Sequence, residues 1–218
     1  MTEADLAEKG LLVVVSGFSG AGKGSIMKRI LQKYDNYALS ISATTRDPRP
    51  GEMDGQDYFY KTQKQFEKMI DKDELIEYAS YQGNYYGTPK AYVEKQLNSG
   101  KDVILEIEVQ GATKVKELLP DTVLIFITPP SAQELRDRLT KRATESADQI
   151  RGRLRRAVVE AEYMPTYDYI LVNDDLETAV TELDEIVRAE HKKSEKSSAL
   201  ITRMTTELKE LLKGDETL

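Results

Sequence analysis

The stretch Leu11-Leu-Val-Val-Val-Ser-Gly-Phe-Ser-Gly-Ala-Gly-Lys-Gly-Ser25 decides the fold of this chain. Its β-branched start is typical of a strand that is buried on both faces of a sheet. From Gly22 onward, the apolar residues Ile26, Ile30 and Leu31 recur at helical spacing and predict a helix. Glycines between the two elements let the backbone wrap around phosphate oxygens at the positive end of that helix. The stretch therefore predicts a phosphate-binding loop.

This loop predicts that ATP is one ligand, with Lys23 reaching its β- and γ-phosphates. A glycine-rich turn with an exposed lysine is the alternative, but it does not explain why strand, spacing and helix agree. Gly24 follows the lysine, where such loops usually carry a Ser or Thr whose hydroxyl meets Mg²⁺. We therefore expect Mg²⁺ to be held by ATP and water, with Ser25 reaching it only through water. The predicted ATP-binding residues of the loop are Gly17, Phe18, Ser19, Gly20, Ala21, Gly22, Lys23, Gly24 and Ser25.

Three further apolar runs have the length of buried strands, namely Val103–Val109, Thr122–Thr128 and Tyr169–Asn173. Helical patterns follow or separate them, which is the rhythm of a parallel sheet with helices on both faces. The sequence thus predicts an α/β fold, a P-loop NTPase-type parallel sheet flanked by helices. The core of this fold is expected to comprise residues 10–40, 101–135 and 165–190.

An inserted lobe is predicted at about residues 41–100, which are rich in Tyr, Gly, Pro and Thr and too long for one crossover. The lobe should hold a helix near Thr62–Ile70. A second helix should begin with Thr88 as its N-cap and Pro89 as its first residue, and it should end at Gly100.

A small mobile lid is predicted at about residues 138–155. Capping-box patterns start at Ser131 and Ser146, which indicates two helices with a joint near Thr144. Beyond a short linker at Ser194–Ser198, residues 198–213 carry an apolar stripe at helical spacing. We expect an extra C-terminal helix there that packs on the core or on another subunit, which makes a homo-oligomer possible.

Composition excludes several classes of function. The 218 residues are 39% apolar and 32% charged, and no apolar run approaches the ~20 residues of a membrane helix. The acidic start lacks the features of a signal peptide, so we expect a cytoplasmic protein. The chain has no cysteine, and its single histidine, His191, lies in a charged stretch that predicts a solvated surface position.

The net charge of −7 argues against nucleic acid as a partner. Seven arginines between Arg136 and Arg156 suit a small polyanion instead.

The most specific stretch is Ser40-Ile-Ser-Ala-Thr-Thr-Arg-Asp-Pro-Arg-Pro-Gly51, whose turn residues project two arginines three positions apart. A planar guanidinium grips phosphate in two places. With this stretch the sequence strongly resembles the guanylate kinase family, over roughly residues 10–190. The likeness continues through Leu75-Ile-Glu-Tyr78, Gly83-Asn-Tyr-Tyr-Gly-Thr88, Leu105-Glu-Ile-Glu-Val-Gln-Gly111, Pro129-Pro-Ser131 and Val172-Asn-Asp-Asp-Leu176.

The resemblance implies transfer of the γ-phosphoryl group of ATP to GMP, and also to dGMP because nothing here clearly reads the sugar. Residues at matching positions would bind the GMP phosphate, namely Arg46, Arg49, Tyr58 and Tyr86. Others would meet or approach the guanine, namely Ser42, Glu77, Thr88 and Glu106. Asn173 would lie near the adenine. Catalytic charge would come from Lys23, Arg46, Arg138, Arg142 and Arg153. One carboxylate can accept both N–H groups of guanine, and adenine offers no such pair.

Several of these residues also have a structural interpretation. Thr88 fits a helix cap as well as a ligand, Tyr58 and Tyr86 could be half-buried core residues, and Glu77 could be a surface charge at a helix end. Glu106 and Glu108 alternate with apolar residues, so we expect both on one side of a central strand, where carboxylates need partners. Glu108 is also a possible Mg²⁺ contact through water.

The other arginines of the cluster fit a solvated helix surface, namely Arg136, Arg151, Arg155 and Arg156. No general base is expected, because a phosphate acceptor is already ionised at neutral pH. Two rival functions are a protein-interaction module of the same fold and a kinase for another acceptor, such as a ribose bisphosphate. The presence of Lys23, Arg46, Arg49 and Arg138 argues against the first, and Glu77 argues against the second.

Overall fold

The computed structural model describes residues 9–81, 83–141 and 146–214. Two sheets and a series of helices make up this part of the chain. The strands are β1 (Leu12–Gly17), β2 (Tyr37–Leu39), β3 (Ala43–Thr44), β4 (Phe59–Tyr60), β5 (Leu75–Tyr81), β6 (Asn84–Pro89), β7 (Asp102–Glu106), β8 (Val123–Thr128) and β9 (Tyr169–Val172). The helices are α1 (Lys23–Lys33), α2 (Gln63–Asp71), α3 (Lys90–Asn98), α4 (Val109–Leu118), α5 (Ala132–Lys141), α6 (Ala147–Ala161), α7 (Leu176–His191) and α8 (Ser198–Gly214).

The main sheet is parallel throughout, with strand order β2-β7-β1-β8-β9. β1 lies at its centre, and Val13 pairs with Ile104 of β7 and with Val123 of β8. Val13, Val14 and Val15 are fully buried, because helices cover both faces, as the unbroken apolar run predicted. The predicted α/β fold is thus confirmed. The edge strand β2 was not predicted, since three residues give too short a pattern.

The second sheet lies within residues 43–89 and has strand order β4-β3-β6-β5. It encloses a small core of its own, in which Phe66 of α2 is fully buried beside Ala43 and Leu75. The ring of Phe66 stacks on Tyr85 with centroids 5.2 Å apart. The predicted helix of this region is present as α2, and Thr62 caps it with a full capping box.

Three local predictions are wrong. Thr88 does not cap a helix, because it lies in β6 and Pro89 occupies the cap position of α3. Leu31 is 37% exposed, and Met27 takes its place on the buried face of α1. His191 is not a solvated surface residue, since its Nε2 lies 2.8 Å from Oδ1 of the buried Asp102.

The helices of the predicted lid region are α5 and α6. The capping box at Ser146 is confirmed, whereas Ser131 only accepts the Glu134 N–H. The joint near Thr144 lies outside the described residues.

The apolar stripe of α8 is exposed to solvent. The exposed residues, at 44–69% of their surface, are Leu200, Ile201, Met204, Leu208, Leu211 and Leu212. A 3-10 turn at Ser194–Lys196 joins α8 to α7 where a linker was predicted. Within the described ranges, no helix is long and apolar enough to cross a membrane.

Candidate active site

The loop between β1 and α1 has the geometry of a phosphate cradle. Gly20 and Gly22 have φ angles of 97° and 94°, which L-side chains rarely adopt. A Cβ atom at Gly22 would also lie 2.3 Å from the amide nitrogen of Asn173. Asn173 follows β9 and donates from Nδ2 to the Ala21 carbonyl at 2.7 Å. Asn173, which was predicted to lie near the adenine, therefore stabilises the phosphate loop through the Ala21 carbonyl.

Two cations meet at this loop from different elements. Lys23, the first residue of α1, donates from Nζ to the Gly17 carbonyl at 2.7 Å, so its ammonium folds back over the mouth of the loop. Arg153 of α6 donates to the Ser19 hydroxyl. Positive charge is thus placed where the terminal phosphates of a bound nucleotide would lie.

Arg138 of α5 approaches the same loop. Its Nη1 lies 3.5 Å from the Ala21 carbonyl, and its Nε donates to Glu134 at 2.7 Å. Its predicted helical neighbour Arg142 lies outside the described residues.

A cleft with a volume of about 870 Å³ opens in front of the loop. It lies at the carboxyl ends of β1 and β7, the usual position for ligands in open α/β sheets. Residues of the loop, of the segments that lead into β3 and β4, and of α6 share its wall. The predicted site residues that line it are Gly17, Ser19, Lys23, Ser42, Tyr58, Glu106, Glu108 and Arg153.

The two carboxylates after β7 differ from the prediction. Glu106 is the last residue of β7 and is open to the cleft. Burial by the surrounding protein raises its pKa, and the charge of Lys23 lowers it. Glu108 lies beyond the strand, as the N-cap residue of α4, because the chain leaves the sheet after Glu106. The two side chains therefore do not share a strand face, and Glu108 instead contacts Arg156 of α6.

Glu52 binds Arg46, the first of the two arginines predicted in the inserted lobe. Nη2 of Arg46 donates to Glu52 Oε1 at 3.0 Å. The second carboxylate oxygen of Glu52 accepts from the Arg49 N–H at 2.7 Å and the Tyr60 hydroxyl at 2.8 Å. These two hydrogen bonds, together with the contact to Arg46, lower the pKa of Glu52 to about 2. Arg46 also lies over the ring of Tyr58 at 5.3 Å.

Tyr58 packs against Tyr86, with ring centroids 6.1 Å apart. Both predicted tyrosines are partly buried and adjoin Arg46. The structure thus groups three of the four residues predicted to bind the acceptor phosphate. The guanidinium of the fourth, Arg49, has no hydrogen-bond partner within the described part of the chain and is exposed.

Glu77 points from β5 toward its neighbouring strand. The Thr88 hydroxyl donates to Glu77 Oε1 at 2.8 Å. Burial raises the pKa of Glu77, which this hydrogen bond and the charge of Lys114 lower. Glu77 is therefore not a surface charge at a helix end. The Thr88 hydroxyl thus holds one carboxylate oxygen of Glu77, and neither residue is among those that line the cleft.

The sequence profile of the family described as guanylate kinase matches residues 9–190. The chain belongs to the guanylate kinase family. A guanylate kinase of Lactococcus lactis subsp. lactis is 51% identical over 186 residues, which cover 85% of this chain and 91% of that protein. One of Halalkalibacterium halodurans is 52% identical over 189 residues, 87% of this chain and 93% of that protein. The crystal structure of guanylate kinase from Anaplasma phagocytophilum superposes with a TM-score of 0.68 at 34% identity, covering 86% of this chain and 89% of that chain.

The range matched by the guanylate kinase family holds all the predicted site residues and ends before α8. Three cleft or loop residues within it were missed by the sequence reasoning: Glu52, Arg156 and Glu160. Glu52 directly follows the quoted stretch that ends at Gly51, but no spacing signal tied it to an arginine. For the other two, the signal was their helical spacing from Arg153.

Proposed function

We propose that this chain is a guanylate kinase that transfers the γ-phosphoryl group of ATP to GMP or dGMP, giving ADP and GDP or dGDP. Family membership supports the activity, and one observation supports its geometry. The phosphate loop with Lys23 opens onto the same cleft as Ser42 and Tyr58 of the inserted lobe, and Tyr58 adjoins Arg46. A donor and an acceptor phosphate could therefore meet in line.

In this proposal the second lobe binds GMP. The guanidinium groups of Arg46 and Arg49 bind its phosphate, and Tyr58 and Tyr86 complete that site. Glu77 accepts from guanine N1–H and N2–H with the oxygen that Thr88 leaves available. Ser42 and Glu106 lie at the cleft wall beside the base. In AMP, N1 of the adenine is an acceptor. Its lone pair would face the Glu77 carboxylate, which is also an acceptor, so AMP would be rejected.

The proposed chemistry needs positioning and positive charge. Lys23, Arg138 and Arg153 surround the phosphate loop and stabilise the charge that spreads over the transferring group. Arg142 would join them. The acceptor phosphate is already ionised near pH 7, so no side chain has to remove a proton.

A nucleotide kinase needs a divalent metal, and we propose Mg²⁺. Within the described residues no three acidic or histidine side chains form a metal cluster, and Gly24 lacks a hydroxyl. The donor set therefore fits a hydrated ion carried by ATP, with Ser25 reaching it through water, whereas Glu108 is paired with Arg156. When bound, Mg²⁺ neutralises charge between the β- and γ-phosphates.

A coupled assay of ADP formation tests this function. GMP and dGMP should support turnover, and AMP and UMP should be poor acceptors by several orders of magnitude in kcat/KM. Equal turnover of AMP and GMP, or turnover only with a phosphorylated sugar, would contradict the proposal.

Three further points are part of the proposal. The chain works as a core, a GMP-binding lobe at about 41–100 and a lid at about 138–155, which close over the substrates. It acts in the cytoplasm, where both nucleotides occur. α8 pairs two copies of the chain, because its stripe of exposed apolar residues has no partner among the described residues.

A further inference from the structure

One face of α6 lines the cleft with polar side chains that recur about once per helical turn. Gln149, Arg153, Arg156 and Glu160 follow one another at intervals of four, three and four residues, so they form one stripe along the helix. The reaction proposed above uses Arg153 alone. Arg156 and Glu160 are therefore cleft residues to which nothing so far gives a role.

The Arg156 guanidinium joins two carboxylates from different elements. Its Nε donates to Glu160 Oε1 at 3.0 Å, one turn further along α6. Its Nη2 donates to Glu108 at the start of α4. Glu108 occupies the N-cap position of α4, yet its side chain makes no capping hydrogen bond. Its carboxylate is thus directed across the cleft, and Arg156 links α6 to the end of β7.

The charge of the cleft makes this link relevant to a polyanionic ligand. Among the described residues that line the cleft, four are acidic and three are basic, and Arg156 is one of the three. Burial raises the pKa of Glu160, while Arg156 and Lys23 lower it. If Arg156 were absent, Glu108 and Glu160 would face the phosphates without compensation, and like charges a few ångströms apart repel strongly in a partly buried site.

We propose that Arg156 is a positioning residue for ATP: it holds Glu108 against α6 and cancels its charge, so that the polyphosphate can lie beside Lys23. This role deepens the proposed kinase function and rests on it. The Arg156–Glu108 contact itself contributes little to folding, because the two side chains are 41% and 63% exposed. Ion pairs with that exposure contribute little to stability.

The test is a double-mutant cycle with Arg156→Ala, Glu108→Gln and the double variant. Arg155→Ala is the matched control, since Arg155 is the adjacent arginine of the same helix, is exposed and does not line the cleft. The readout is the Kd of a fluorescent ATP analogue with Mg²⁺, which does not depend on the acceptor. GMP turnover of the wild type is measured separately and judges the proposed function, so the two can fail independently.

Arg156→Ala should raise the Kd about tenfold, the scale of one uncompensated charge near the phosphates at an effective dielectric constant near 20. Arg155→Ala should keep the melting temperature of wild type, whereas Arg156→Ala should lower it, because Glu160, only 11% exposed, loses its hydrogen-bond partner. In the Glu108→Gln background, the same substitution should raise the Kd by a clearly smaller factor than in the wild type, because only the Glu160 charge is then left uncompensated. The proposal is overturned if Arg156→Ala binds like wild type. It is also overturned if the loss is equally large without Glu108, since Arg156 would then contact the nucleotide itself.

Discussion

Replacement of Glu77 by Gln should abolish the preference for guanine with little effect on the fold. The Glu77 carboxylate has one oxygen bound to the Thr88 hydroxyl at 2.8 Å and, in our proposal, one that accepts guanine N–H groups. A glutamine keeps the shape and loses the charge. It also exchanges one acceptor oxygen for an NH₂ group, which cannot accept from guanine.

The size of the effect follows from the orientation of the new amide. If its oxygen stays on Thr88, the NH₂ faces guanine donors, and both base contacts are lost. Because the Thr88 hydroxyl can also accept, the amide can turn and present its oxygen to guanine, which keeps one weaker, uncharged contact. With about 1.5–3 kcal/mol for a hydrogen bond to a charged group, we expect a loss of about 2–4 kcal/mol in kcat/KM for GMP. That corresponds to roughly 30- to 1,000-fold.

The assay compares kcat/KM for GMP, AMP and inosine monophosphate, which lacks the 2-amino group. Wild type should prefer GMP over both, and Glu77→Gln should reduce both ratios while KM for ATP stays constant. Glu74→Gln is the control, because Glu74 is exposed and precedes the same strand. If the ratios of the three substrates are the same in Glu77→Gln and wild type, Glu77 does not read the base.

The pH dependence gives an independent check on the same carboxylate. Burial raises the pKa of Glu77, and only its ionised form accepts two N–H groups. Besides the ionisation of the acceptor phosphate near pH 6, the acid limb of kcat/KM for GMP should therefore contain an ionisation above the ordinary glutamate pKa of 4.5. In Glu77→Gln only the phosphate ionisation should remain. The free energy of unfolding depends on pH in the opposite direction to the activity. The protonated Glu77 stabilises the fold below its unfolded pKa, and this contribution is lost as pH rises through the raised pKa of the folded state.

Three other perturbations test separate parts of the molecule. Lys23→Met should melt like wild type. It should raise the activation free energy by several kcal/mol, which lowers kcat more than about a thousandfold. A variant with a tenth of wild-type kcat would exclude the lysine from the chemistry. Glu52, whose pKa is lowered to about 2 from 4.5, should stabilise the fold above pH 4.5 and lose that contribution as pH falls toward 2. Thermal melting across this range should thus be flatter in Glu52→Gln, and parallel curves would refute the assignment. Leu208→Glu on α8 should turn a dimer into a monomer in sedimentation without changing kcat, and an unchanged mass would remove α8 as an interface.

Elements that depend on local pattern could be predicted from the sequence. The strand, glycine turn and helix around Lys23 are contiguous, so their apolar spacing and φ requirements are visible in one stretch. Elements that depend on distant pairing could not. β2 has three residues and exists because Tyr37–Leu39 pairs with Asp102–Ile104. The strands of the second lobe are two to seven residues long, too short or too polar for a periodic signal.

The errors in the site have the same physical origin. Glu108 was placed on a strand because the alternation continued through it, but the chain leaves the sheet after Glu106, where the Ser16 hydroxyl donates to the Ile107 carbonyl at 2.7 Å. That hydrogen bond joins residues 91 positions apart and has no local signature. Arg156 was taken as solvated, although its spacing of three from Arg153 already indicated a shared face. The roles of the individual site residues stay predictions.

The two ends of β7 hold their carboxylates differently, the first buried and the second exposed to the cleft. At the amino end, Asp102 of β7 accepts from the Leu11 N–H at 2.8 Å and the Asn36 amide at 3.2 Å, and His191 completes its contacts. At the carboxyl end of the same strand, Glu106 has no hydrogen-bond partner within the described residues, and only the charge of Lys23 favours its ionised form. The buried acid is satisfied by its own chain and stabilises the fold, whereas the exposed one has an oxygen pair that is open to the cleft. One strand thus carries a structural carboxylate at its start and, in our proposal, a binding carboxylate at its end.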